Sequence, residues 1–139
     1  MTFSFSGYAS LFNVPDQAGD VVLPGAFRRS LASRRPVRML FQHNPAEPVG
    51  VWEVCQENGK GLYAAGRLLP GVKRGSELAE LVAAGAVDGL SIGFRIVKAI
   101  RDRATGRRLI TEIDLWEISI VTFPMLPDAR IERSARLSA

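Results

Sequence analysis

The chain has 139 residues, the size of one ordinary domain, and 47% of them are hydrophobic, enough to close a core. Its net charge of +4, from 18 basic and 14 acidic residues, is a mild bias and not a nucleic-acid signature, and one cysteine with one histidine excludes an internal disulfide and speaks against a zinc site. No apolar run approaches the ~20 residues of a membrane span, and the N-terminus lacks the basic and apolar regions of a signal peptide, so the reading is a non-secreted, non-membrane protein of a reducing cytoplasm.

Taken in order, Phe3 to Phe12 reads as a strand, and residues 13–20 as a loop rich in turn formers. Pro24 stands where the first position of a short helix would be, with Phe27 and Leu31 on one face. Residues 37–43 and 48–55 read as two strands, joined by a proline-bearing turn at Asn44-Pro45-Ala46-Glu47-Pro48. Asn58-Gly59-Lys60-Gly61 marks a hairpin turn, and 62–69 is the strand after it. Ser76 to Ala84 has a helical stripe of Leu78, Leu81 and Val82, with Gly85 at the C-cap. Residues 89–99 and 107–123 are strands around a turn at Ala104-Thr105-Gly106, and 128–139 is expected to be a loose basic tail. The sum is one domain over 1–139, mostly β (α+β): a small antiparallel barrel of six or seven strands with a few helices outside it.

Three residues carry potential chemistry. His43, the sole histidine, ends an apolar run beside a proline. Ser91 lies in Gly89-Leu90-Ser91-Ile92-Gly93-Phe94; by the two-residue period it shares a strand face with Gly89 and Gly93, which leaves space for a substrate backbone. The plain reading is that those glycines mark a bulge, and for an isolated serine that reading is the commoner one. Glu117 interrupts Leu115-Trp116-Glu117-Ile118-Ser119-Ile120-Val121, where both faces read as covered. A buried carboxylate needs a partner, which an arginine or the histidine ring would satisfy equally well. Cys55 is a rival nucleophile and reads as a small buried hydrophobe. Base, nucleophile and acid are the parts of a serine hydrolase.

The ordered set of segments resembles a known family. It comprises Gly7-Tyr8-Ala9-Ser10 with Phe12-Asn13, Asp20-Val21-Val22, Pro24-Gly25-Ala26-Phe27, Gln42-His43-Asn44-Pro45 with Pro48-Val49-Gly50, and Leu62-Tyr63-Ala64. It closes with Gly85-Ala86-Val87, Leu90-Ser91-Ile92-Gly93-Phe94, and Trp116-Glu117-Ile118-Ser119-Ile120-Val121-Thr122-Phe123-Pro124. Each piece is weak alone; the order over residues 5–130 is specific, and it resembles the prohead maturation proteases of tailed phages, with a fold related to herpesvirus assemblin. The resemblance implies His43 as general base and Ser91 as nucleophile. Assemblin-type relatives place a second histidine third; this chain has none, and Glu117 stands in the corresponding place, with Asp114 and Glu112 as fallbacks on the opposite strand face. The family's small residue, asparagine and proline after Phe-Pro are replaced here by Met125-Leu126-Pro127, which leaves the oxyanion donors unassigned.

The implied function is a serine endopeptidase that trims major capsid protein and scaffold segments, and by its short C-terminus also itself, inside the assembling prohead in the host cytoplasm. No cofactor or metal is implied, and a homodimer is allowed by the likeness to assemblin. The basic residues Arg130, Arg133 and Arg136 suit retention among acidic scaffold. Two rivals stand beside it. One is a protease-like barrel that has lost activity and serves as a capsid-binding module. The other is a basic barrel for nucleic acid, disfavoured because aromatics are only 8% and several fall at core positions.

Overall fold

A computed structural model describes residues 2–137. Eight strands and two helices alternate along them: β1 (Thr2–Leu11), β2 (Asp20–Val22), α1 (Arg28–Ala32), β3 (Arg38–Phe41), β4 (Asn44–Glu57), β5 (Gly61–Leu68), α2 (Lys73–Ala83), β6 (Gly89–Arg101), β7 (Arg108–Val121) and β8 (Ile131–Leu137). The strands form one curled sheet in the order β2-β7-β3-β4-β5-β1-β8, with β6 also on β7. The mostly β class with few helices is as expected; the strand number is higher, and β2 and β3 run parallel to β7, so the sheet is not wholly antiparallel.

The core follows from strand alternation. In β1, Phe3, Phe5 and Ala9 turn inward, and they meet Leu62, Ala64 and Leu68 of β5, Leu78 and Val82 of α2, and Ile110, Ile113 and Ile118 of β7. The apolar stripe expected in α2 splits accordingly: Leu78 and Val82 are buried, whereas Leu81 is exposed. Gly85, at φ +76°, ends the helix in a Schellman arrangement, with the Ala86 N–H on the Leu81 carbonyl at 2.9 Å and the Gly85 N–H on that of Val82 at 3.0 Å.

Three local expectations are corrected. Pro24 is not the first helical residue: with Gly25 at φ +91° and the Ala26 N–H bonded to the Leu23 carbonyl at 3.1 Å, Pro24-Gly25 fills the centre of a β-turn, and α1 begins four residues later. The turn between the third and fourth strands is not at residues 44–48 but at Gln42-His43, while Asn44, Pro45 and Pro48 lie within β4. The prolines are tolerated there because the register shifts between Met39, Leu40 and Phe41, so that part of the β3–β4 ladder is irregular. The segment expected as a loose tail is largely a strand: β8 pairs antiparallel with β1 from Thr2↔Leu137 to Gly7↔Ile131. Residues 138 and 139 lie outside the described ones.

Candidate active site

The site forms where the β3–β4 turn folds over the end of β7. Gln42 (φ 53°) and His43 (φ 58°) both occupy the left-handed region, as the central pair of a two-residue type I′ hairpin must. For residues other than glycine that backbone costs about 1–3 kcal/mol each. Fixed partners in β7 and just past its end offset it. The Gln42 N–H donates to the Ile120 carbonyl (3.0 Å), and its side chain brackets Thr122, donating to Oγ1 (2.7 Å) and accepting from the backbone N–H (3.2 Å). The His43 N–H donates to Ser119 Oγ at 3.0 Å.

The imidazole then meets the acid. His43 Nδ1 lies 2.5 Å from Glu117 Oε2, and Ser119 Oγ donates to Glu117 Oε1 at 2.6 Å, so both carboxylate oxygens are engaged. The Glu117 side chain is 11% exposed and the His43 side chain 43%. Of the two partners open to Glu117, the histidine is the one it takes. The hydrogen bond that Glu117 accepts from the imidazole raises the His43 pKa above its ordinary value, burial works against it, and the carboxylate's charge adds to the rise. That is the direction expected of an imidazole whose cation is stabilised by a carboxylate on Nδ1.

Ser91 reaches the site from β6. The antiparallel register sets Ser91 opposite Ser119 and Gly93 opposite Glu117. The two facing serines differ: Ser119 is fully buried and tied to His43 and Glu117, whereas Ser91 lines a cavity of about 360 Å³ that His43 also lines. The Ser91 hydroxyl makes no hydrogen bond among the described residues, to His43 or any other. Ala9, Ser10 and Leu11 of β1, Leu90, Ile92 and Phe94 of β6, and the loops bearing Val14 and Met125 complete the cavity, which is mainly apolar. The two loops are joined by the Gln17 N–H on the Met125 carbonyl at 3.1 Å.

The fallback acids are elsewhere. Asp114 is bound by Arg35, by Arg95 at 3.8 Å and by the Trp116 indole N–H at 3.0 Å; Glu112 pairs with Lys98 at 3.7 Å and Arg29 at 3.9 Å. The reason differs from simple alternation. Gly93 pairs with Glu117 but Phe94 with Leu115, so Trp116 is an extra residue in β7. This bulge turns Leu115 into the core and leaves Trp116 53% exposed, and it brings Asp114 opposite Arg95. Leu115 and Glu117, which a regular two-residue period would put on one face, are thereby turned to opposite faces. Cys55 is half-buried on β4, and burial pushes its thiol up to about 11, away from nucleophilic use. Ser119, Gln42 and Thr122 were not singled out from the sequence. The signal for Ser119 was its spacing of two from Glu117, which puts both on one strand face. Among the described residues, no group of three or more His, Cys, Asp or Glu side chains is placed to hold a metal ion.

Comparison with known proteins fixes the family. The model of the Caudovirus prohead serine protease family matches residues 1–139. The chain belongs to this family. Among curated relatives, the prohead protease of Enterobacteria phage HK97 is 42% identical over 130 residues, covering 91% of this chain and 58% of that protein. The prohead protease of Escherichia phage T5 is 30% identical over 129 residues, covering 88% and 59%. The chain thus spans a little under three-fifths of the length of either relative. In fold, it superposes on the capsid assembly protease of bacteriophage T4 with a TM-score of 0.71 at 16% identity, over 85% of this chain and 80% of that one. The KSHV protease gives a TM-score of 0.61 at 11% identity, over 98% and 66%. The family assignment and the assemblin-like architecture expected from the sequence are both borne out.

Proposed function

We propose that this prohead protease chain is a serine endopeptidase that cleaves capsid and scaffold protein during phage head maturation, with Ser91 as nucleophile, His43 as general base and Glu117 as the acid that orients it. The observation that carries the reading is the His43–Glu117 contact at 2.5 Å, held by a left-handed turn at the wall of the cavity that Ser91 lines. With Nδ1 bound to the carboxylate, Nε2 is the nitrogen left to take the Ser91 proton as its oxygen attacks the scissile carbonyl. The acid stabilises the imidazolium that results. The proton passes on to the leaving amine, and water, activated by the same imidazole, releases the acyl group from Ser91. Ser91 and His43 line the same cavity, and in substrate-free enzymes the bond between nucleophile and base is often long and tightens when substrate binds. The curated relatives are named for prohead proteolysis and the T4 structure for capsid assembly, which is the source of the substrate class.

The test is co-expression with the cognate major capsid protein, comparing wild type with Ser91→Ala by intact mass. Trimmed capsid protein with the wild type and untrimmed with the variant is the expected result, and the new termini give the cleavage sequence. Identical masses beside normally assembled particles would instead assign this chain to the inactive, capsid-binding role.

A further inference from the structure

We infer that Ser119 is a positioning residue for the proposed protease reaction, fixing base and acid through one hydroxyl. The inference rests on the assignment of His43 and Glu117 above. Ser119 Oγ accepts the His43 backbone N–H at 3.0 Å and donates to Glu117 Oε1 at 2.6 Å. One atom therefore sets the height of the turn that carries the imidazole and the plane of the carboxylate that meets it. The hydroxyl has one proton and two lone pairs, so this donor–acceptor use directs its proton at the carboxylate and leaves Oε2 for Nδ1.

Three further observations separate this role from packing. Ser119 is fully buried, and the two contacts are with groups of the site, not with the surrounding core. The parallel pairing of Leu40 with Ser119, and the antiparallel pairing of Ser91 with Ser119, place it midway between the strands that bring in base and nucleophile. The Gln42 side chain already anchors the turn to Thr122, so what Ser119 adds is the coupling of His43 to Glu117. A carboxylate held on one oxygen alone can rotate, and a misplacement near 1 Å costs about 100-fold in rate.

The experiment compares Ser119→Thr with Ser119→Val, which share a shape and differ in the hydroxyl, and Ser119→Ala in wild-type and Glu117→Ala backgrounds. The first readout is the rate at which a fluorophosphonate labels Ser91, followed by intact mass. The second is the Nδ1 proton resonance of the only histidine. Ser119→Ala is expected to slow labelling about 10- to 100-fold, with Thr keeping most of the rate and Val losing it. In the Glu117→Ala background, Ser119→Ala should change the rate by less than about twofold, because both act through one imidazole. The downfield Nδ1 resonance should persist in the Thr variant and vanish in Val. Equal rates for Thr and Val, or losses that simply multiply, would overturn the inference. A folded wild type that never labels would instead overturn the catalytic reading; the Nδ1 resonance would then still decide whether Ser119 fixes the pair.

Discussion

His43 holds an unfavourable backbone so that its imidazole can reach Glu117, and the consequence is measurable as a pH dependence. Glu117 raises the His43 pKa above the ordinary ~6.5 while burial opposes the rise. In the proposed mechanism His43 must be neutral to accept the Ser91 proton, so the acid limb of kcat/KM should have its midpoint above pH ~6.5. Glu117→Gln removes the main cause of the rise and leaves the burial, so the midpoint should fall to ~6.5 or below, with a large drop in kcat. An unmoved midpoint in that variant would remove Glu117 from contact with the base. The stability effect has the opposite sense. A histidine whose folded pKa is raised stabilises the fold fully below its unfolded value of ~6.5, and that contribution is lost as pH rises through the folded pKa. In the Ser91→Ala background, melting temperature against pH should show this loss, and His43→Gln should abolish it. His43 and Ser91 stand out as candidates, the one as the only histidine and the other as a hydroxyl between glycines, but their proposed roles come from the family resemblance, since an isolated serine there more commonly marks a bulge. The partner of Glu117 was not legible, because strand alternation gives the face of a carboxylate but not which of many cations a parallel pairing 74 residues away brings to it.

At the level of elements, the bulge in β7 and the glycine facing it decide whether Glu117 fits. A Cβ on Gly93 would lie 2.1 Å from Glu117 Oε2, 2.7 Å from its Cδ and 2.8 Å from its Cγ. All three atoms belong to one side chain, not to backbone, so Gly93→Ala should keep the fold while losing a few kcal/mol of stability as the buried carboxylate gives up its partners. It should displace the carboxylate from Nδ1 and lower kcat about 10- to 100-fold, with KM little changed. A variant with wild-type kcat would mean that Glu117 works from another position. The pairing of Gly93 with Glu117 is not legible from the sequence: it follows from the β6–β7 register, and one extra residue, Trp116, changes that register from Phe94 onward. The same holds for the turn at Gln42-His43. Its left-handed backbone suits Asn or Gly, neither of which stands there, and the prolines after it looked like the natural punctuation. The strands themselves, β5 after Asn58-Gly59 and β6 and β7 around Gly106, were legible from period and turn chemistry.

In the whole molecule, the cleft is the place where the curled sheet fails to close. β6 pairs along its length with β7; on its other side it has only the bridge from Gly89 to Arg130 and the bonds of Leu90 to Ala129 and of Ile131 to Asp88. Beyond Leu90 that edge is unpaired among the described strands, and β1 lies across the gap, contributing Ala9, Ser10 and Leu11 to the cavity wall. An open edge next to the serine is a template for an extended chain, whose main-chain groups satisfy the strand while its side chains enter the flanking pocket. In the proposed proteolysis, the apolar lining, with Phe123 89% and Met125 51% exposed, would favour apolar side chains beside the scissile bond. The experiment is amide hydrogen exchange on the Ser91→Ala variant, with and without a peptide spanning the capsid cleavage site. Protection should appear in β6 from Ile92 toward Ile96, where amides facing away from β7 gain partners, and β4 and β5 should exchange as before. Protection confined to the turn at Gln42-His43, with β6 unchanged, would mean that the substrate crosses the cleft without joining the sheet, and the open edge would then need another occupant.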